Sequence, residues 1–263
     1  LRPMLKVPWL DIASPEDNRR YLCLQVKQER GPEEQIFSPQ FWWLCASTVL
    51  FMASFGMIMP ELPGFLTALG RPDLIGWIVG LFTIGAFASR FISGRIADAA
   101  GRRPVMLFGT WVTMVAGLGY ILIGWLRPGL TASYSGIPLV VWLFLLLRLL
   151  HGMSTGFRPT GTTAFLTDTT PIRRRGEALG YLGVAGNAGM AGGPALGSWL
   201  TVEFGYDAMF LTSSGLGLLA LLLTIRLPES LPNSRKVRWK DLNVFSGPVL
   251  DWSSWSASFA LLP

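Results

Sequence analysis

The sequence predicts an all-α membrane protein built as a six-transmembrane-helix bundle, and three observations predict it. Charged residues make up only 14% of the 263-residue chain, against about 25% in ordinary globular domains. Six apolar runs recur, each near the ~20 residues a helix needs to cross a ~30 Å hydrocarbon core. Lysine and arginine collect beside alternate ends of those runs, as they do in loops retained on one side of a bilayer.

Positions 1–40 hold Arg2, Lys6, Arg19, Arg20, Lys27 and Arg30 among Asp11, Glu16, Asp17, Glu29, Glu33 and Glu34. Without an apolar h-region they read as a polar cytoplasmic tail and not a signal peptide. The bundle follows over 41–226, with runs at 41–62, 75–96, 105–126, 139–164, 180–200 and 208–225. Buried helices of a soluble protein rarely recur six times with so few polar faces. Positions 227–250, rich in Pro, Ser and basic residues, read as a cytoplasmic linker. Positions 251–263 read as the start of a truncated seventh helix, so the chain is expected to be a fragment.

With the N-terminus inside, 17 of the 22 basic residues fall on the cytoplasmic side, including Arg95, Arg102, Arg103, Arg173, Arg174, Arg175 and Arg226. Only Arg71 and Arg127 fall outside. The expected location is a cell membrane, of bacterial inner-membrane type, with multiple passes and a cytoplasmic N-terminus. Trp42, Trp43, Trp125 and Trp199 sit at run ends as interfacial belts require, while Trp77, Trp111 and Trp142 lie deeper.

Several function classes drop out. A net charge of +6 is compatible with nucleic acid, but the basic residues flank apolar runs, so no nucleic-acid partner is expected. Cys23 and Cys45 form neither a disulfide framework nor a metal-ligand spacing. Gly215 to Ala220 satisfies G-x-G-x-x-A inside the sixth run with no preceding strand, so a dinucleotide site is excluded. No cofactor, no metal and no enzyme activity are expected.

The second and third runs are joined by Ser93-Gly94-Arg95-Ile96-Ala97-Asp98-Ala99-Ala100-Gly101-Arg102-Arg103-Pro104. Gly94 suits close helix approach, Gly101 a tight backbone turn, and Asp98 is an acid among cations. The string resembles the G-x-L-a-D-r-x-G-R-[RK] loop of the major facilitator superfamily, departing at Ala99, where a basic residue is usual. Arg148-Leu149-Leu150-His151-Gly152 resembles that family's R-x-x-q-G motif, with His151 in place of glutamine. Gly180, Gly189, Gly193, Pro194 and Gly197 resemble G-x8-G-x3-G-P-x2-G of its antiporters, with Ser198 at the usual final glycine. Pro60-Glu61-Leu62-Pro63, closing the first run, resembles the P-x-x-P signature of the twelve-helix drug:proton antiporter group.

The resemblance implies the N-terminal six-helix half of a twelve-helix fold, made of two inverted three-helix repeats. It implies a secondary transporter that moves a small-molecule substrate by alternating access, with proton-coupled export. Protons, membrane lipid and a missing C-terminal six-helix half are the implied partners. Gly94, Asp98, Gly101, Arg102 and Arg103 would form a gating loop in which the acid caps a helix of the other half. Two alternatives remain at the level of sequence: a half-size transporter or scaffold acting as a homodimer, and an importer of an anionic or polar solute.

From the residues alone, Ala185, Gly189, Gly193 and Gly197 form a flat stripe for helix packing, and Pro194 is expected to kink it. His151, Thr155, Arg158 and Thr162 fall near one line on the fourth helix, with Arg148 and Ser154 to either side. A cation at mid-depth costs at least about 2.5 to 3.5 kcal/mol, so this face is the candidate substrate or proton pathway, together with Glu61. No Asp or Glu lies mid-span, and the cations therefore favour an anionic or polar solute.

Overall fold

The computed structural model describes residues 38–126, 133–134 and 136–231. The tail over 1–37, Arg127, most of the expected linker and the seventh run lie outside the described residues. Helix α1 (Pro39–Ala68) begins where the Ser38 hydroxyl accepts from the Phe41 amide at 3.3 Å, with Pro39 in the first turn, where its absent N–H is not missed. Helices α2 (Ile75–Ala100), α3 (Arg102–Leu126), α4 (Leu139–Thr169) and α5 (Arg175–Ile225) follow. Between α3 and α4, strands β1 (Ser133–Tyr134) and β2 (Ile137–Pro138) pair antiparallel. The first four helices hold 25 to 31 residues, about 37 to 46 Å at 1.5 Å per residue, enough to cross a bilayer.

Two expectations about prolines are corrected along the chain. Pro60 and Pro63 do not close α1, which runs on to Ala68. Their ring torsions suit helical backbone, and in lipid a break there would leave further polar groups without partners. Among the described residues five helices are long and apolar enough to span a membrane, the last of them long enough for two of the six expected crossings. At 51 residues α5 is about 77 Å long if straight, too long for one crossing. It is divided at Gly205 (φ 84°, ψ 173°), a conformation that glycine reaches without a Cβ clash. Pro194, where a kink was expected, leaves the dihedrals helical; Gly205 alone departs.

The neighbours of α5 show that the chain reverses at Gly205. Along the first arm, Gly189, Gly193 and Gly197 meet Val49, Ala53 and Met57, so this arm runs parallel to α1. Along the second arm, Ser213 bonds Ser54 and Tyr206 packs edge-on against Phe65, so this arm runs antiparallel to α1. The six expected crossings are therefore present. Helix α2 runs parallel to α4, with Gly85 against Leu149 and Gly156 against Ser89. Helix α3 runs antiparallel to α4 and to the second arm, through Gly109 against Arg158 and Gly117 against Ser214. The pairing of α1 with the first arm repeats as the pairing of α4 with α2, the arrangement expected of two inverted three-helix repeats.

Both parallel pairs depend on glycine. A Cβ on Gly193 would lie 2.7 Å from the Ala53 carbonyl oxygen and 3.1 Å from Gly56 Cα, and one on Gly85 or Gly152 would strike the Leu149 or Phe82 carbonyl. Gly94 and Gly180 differ from their expected packing role, since a Cβ at either meets nothing within 4 Å among the described residues. Polarity is inverted relative to a soluble protein. Trp77, Phe87, Val184 and Leu211 are exposed, whereas Ser47, Ser54, Thr110 and Ser213 are buried. Ser54 and Ser213 donate to each other's carbonyls at 2.8 Å, tying α1 to the second arm.

Gly193→Ala should lower stability by about 1 to 3 kcal/mol, because its methyl meets backbone that cannot move aside. Gly94→Ala, in open space within a helix, should leave stability unchanged or raise it by up to about 1 kcal/mol. Thermal unfolding of both variants in one detergent checks the pair; equal melting temperatures would refute the packing assignment.

Candidate functional site

The candidate residues of α4 divide into two groups. Arg148, His151 and Arg158 are all buried, at 0%, 0% and 1% exposure, so the polar line points into the bundle as lipid demands. Around Arg148 every nitrogen has a neighbour. Nε donates to the Ile78 carbonyl at 2.9 Å, Nη1 meets His151 Nδ1 at 3.3 Å, and Nη2 reaches Met59 Sδ at 2.6 Å. The guanidinium also lies 4.4 Å from the centre of the Phe82 ring, a cation–π contact.

With Arg148 donating, His151 Nδ1 is the acceptor and the ring proton belongs on Nε2. Tyr120 Oη lies 3.4 Å from the same Nδ1, while Nε2 is buried without a partner among the described residues. The rings of Phe55 and Phe82 stand edge-on to the imidazole at 5.8 and 6.1 Å. This is an aromatic box closed around a histidine and an arginine.

Arg158, ten residues further along α4, has a different environment. Its Nη1 donates to Thr110 Oγ1 at 2.5 Å and Thr224 Oγ1 at 2.9 Å, and its Nη2 to Ser47 Oγ at 2.8 Å. One guanidinium thus joins α4 to α1, α3 and the second arm of α5. Its Nε has no partner, and no carboxylate pairs with it among the described residues. Arg158 forms part of the wall of a cavity of about 350 Å³ between α1, α4 and the first arm, with Thr48, Phe51, Thr162, Asn187 and Met190. That volume lies within the ~300 to 1,000 Å³ typical of ligand sites.

The remaining candidates do not join these groups. Thr155 and Thr162 donate to carbonyls of their own helix, Gly152 and Arg158, although Thr162 also faces the cavity. Glu61 accepts from Ser198 Oγ at 2.6 Å on the other side of α1 from Arg148's partners. Gly189, Gly193 and Gly197 serve α1 packing, as does Pro194, whose Cδ would lie 3.3 Å from a Cβ on Gly56.

At the arginine-rich end the loop residues do assemble. Gly101 (φ 110°) turns the chain from α2 into α3. Arg102 bridges Asp98 at 2.5 Å and Asp168 at 2.9 Å, so one side chain joins the ends of α2 and α4 at the start of α3. Arg103 Nη2 donates to the Ile225 carbonyl at 2.5 Å. The carboxylate of Glu229 accepts from the Arg102 and Arg103 amides at 2.8 and 3.1 Å, and Pro104 has no N–H to satisfy. Glu229 thus caps the N-terminus of α3. A Cβ at position 101 would collide with that carboxylate.

Sequence reasoning missed Glu229, Asp168, Tyr120 and the hydroxyl partners of Arg158. The acid at 229 lay in sight, one of two carboxylates, with Asp241, in a linker rich in Pro, Ser and basic residues. The hydroxyls carried no signal, since buried Ser and Thr in membrane helices commonly bond their own backbone.

The sequence profile described as Major Facilitator Superfamily matches residues 44–262. The chain is 30% identical over 197 residues to Multidrug resistance protein 1 of Bacillus subtilis (strain 168), covering 73% of this chain and 46% of that protein. It is 34% identical over 182 residues to Multi-drug resistance efflux pump PmrA homolog of Lactococcus lactis subsp. lactis (strain IL1403), covering 66% of this chain and 40% of the relative. The chain spans about half the length of the curated relatives it matches. The crystal structure of the human organic anion transporter MFSD10 (TETRAN) shares the fold, with a TM-score of 0.61 and 22% identity over 82% of this chain and 54% of that one.

Glu229→Ala should expose two amides of the first turn of α3, at a cost of about 0.5 to 2 kcal/mol, the range for losing a helix cap. Hydrogen exchange at Arg102 and Arg103 should accelerate accordingly, with Glu229→Gln intermediate. Unchanged exchange in the alanine variant would contradict the cap.

Proposed function

Because the chain belongs to the major facilitator superfamily, whose members are membrane transporters and not enzymes, we propose that it forms half of a secondary transporter exporting a small organic solute in exchange for protons. The observation that carries this reading is the pair of buried cations on α4, one of them beside a cavity that opens between α1, α4 and the first arm of α5. Charge is retained inside a membrane bundle, against its insertion cost, mainly where a solute or proton moves. The relative named as a multi-drug resistance efflux pump supports export as the direction.

In the proposed mechanism a second six-helix half faces the cavity, and the two halves rock about it to open one side and then the other. The arginine-rich end is the cytoplasmic one, in keeping with the distribution of basic residues. There the Asp98–Arg102–Asp168 bridge joins α2 to α4. It braces α2 against α4 within this half, at the end that meets the second half when that side closes. The aromatic box around His151 and Arg148 stiffens the centre of the bundle. Its neighbour contacts, Tyr120 from α3 and Phe55 from α1, make it sensitive to the relative tilt of those helices.

The test is transport by the intact protein in proteoliposomes with an imposed proton gradient, screening lipophilic cations, neutral amphiphiles and carboxylates. Solute movement should follow the gradient and collapse with a protonophore. Movement indifferent to the protonophore would refute proton coupling, and no movement of any probe would refute transport. Asp98→Asn should bias the balance of states by up to about fivefold, since an exposed ion pair contributes at most about 1 kcal/mol. Transport should slow while solute binding stays near that of the parent; equal transport rates would remove the loop from the cycle.

A further inference from the structure

The two buried arginines of α4 are not equivalent, and the difference points to a class of solute. Arg148 has a neighbour on each of its three nitrogens, with one hydrogen each on Nη1 and Nη2 finding no further acceptor among the described residues, and it is enclosed by the aromatic box. Arg158 borders the cavity and has one nitrogen, Nε, with no partner at all among the described residues. Its three bonds engage Nη1 twice and Nη2 once, leaving Nε–H and one Nη2 hydrogen without acceptors among the described residues. Nε and Nη2 flank the edge of a guanidinium that takes both oxygens of a carboxylate. That edge is itself buried, with Arg158 only 1% exposed, so a carboxylate reaches it when the side chain turns toward the cavity it borders.

The three bonds that exist are to neutral hydroxyls, so the cation has hydrogen-bond partners and no counter-charge. Between Glu61 toward one end and Asp98 and Asp168 at the other, the described helices place no acid at the depth of Arg158. The cavity that Arg158 borders is otherwise suited to an amphiphile. Phe51, Met52, Leu182 and Met190 line an apolar wall. Asn187 adds an exposed amide that makes no hydrogen bond among the described residues.

We propose that this cavity recognises an amphiphilic organic monoanion, with its carboxylate on the free edge of Arg158, its body along the apolar wall and Asn187 as a second polar contact. The proposal rests on the transporter reading and narrows it to a substrate class. The neutral hydroxyls are what make such a site workable. They hold the guanidinium in place without cancelling its charge, whereas a carboxylate partner would already have occupied it.

The same geometry makes the site testable without losing the fold. Thr110 and Thr224 also donate to the carbonyls of Met106 and Ala220, and Ser47 to that of Leu44. These hydroxyls keep a partner when Arg158 is removed. Binding of decanoate, decanol and decyltrimethylammonium to the intact protein in zwitterionic nanodiscs is measured for the parent, Arg158→Met, Arg158→Lys and Asn187→Leu. Decanoate should bind the parent about ten- to a hundredfold tighter than decanol, the range a charge-assisted bond supplies. That preference should vanish in Arg158→Met, persist in part in Arg158→Lys and weaken in Asn187→Leu, whose exposed side chain leaves the fold alone.

Equal binding of the three probes by the parent would overturn the proposal, as would a preference that survives both Arg158→Met and Asn187→Leu. Displacement of decanoate by phosphatidylglycerol would assign the site to lipid and overturn the solute reading. If gradient-driven transport of a cationic or neutral probe proceeds while decanoate shows no preference, the monoanion proposal fails and the transporter reading stands. If no probe is transported, the transporter reading fails with it.

Discussion

Direct contact between backbones at glycine holds this bundle together. In lipid an apolar side chain gains little by leaving its surroundings, so helices associate through close packing and hydrogen bonds. Gly189, Gly193 and Gly197 bring the first arm of α5 onto α1, and Gly85, Gly152 and Gly156 bring α2 onto α4. The same device appears once in each combination of the two three-helix repeats. The contacts set helix spacing at the level of backbone atoms, and the position of every buried polar group follows from that spacing.

With the helices so placed, α4 stands where α1, α2, α3 and the second arm can all reach it. The two cations on its inner side are then treated differently. Arg148 is enclosed with His151 and Tyr120 inside an aromatic box, each nitrogen already engaged. Arg158 is held by hydroxyls from three other helical segments and borders open space. Hydrogen bonds without a counter-ion meet the directional demands of a guanidinium but not its charge, and Arg158 is the cation that stands beside the cavity.

The arginine-rich end shows a second division of labour. Arg102 joins α2 to α4 through two carboxylates, while Glu229 fills the free amides at the start of α3 and returns the chain after α5 to the α2–α3 turn. Glycine at 101 meets two demands at once, a left-handed turn and room for that carboxylate. Asp98 of the same loop is engaged with Arg102 within this half.

Length and period made much of this legible before any coordinates. Crossings over 41–62, 75–96, 105–126 and 139–164 all lie within single helices, because a ~20-residue apolar stretch is a local property. The four-residue spacing of Gly189, Gly193 and Gly197 likewise announced a packing face. The helix ends were less legible: Pro60 and Pro63 lie inside α1, and the chain reverses between two crossings at a single residue, Gly205. Local propensity does not register which carbonyls a neighbouring helix will satisfy. The sequence by itself determined that Arg148, His151 and Arg158 share a face and must be buried. Only the tertiary structure decided that one cation is closed off and the other borders a cavity. The physical reason is distance along the chain: the acceptors of Arg158 lie 48, 66 and 111 residues away, and only helix packing brings them within reach.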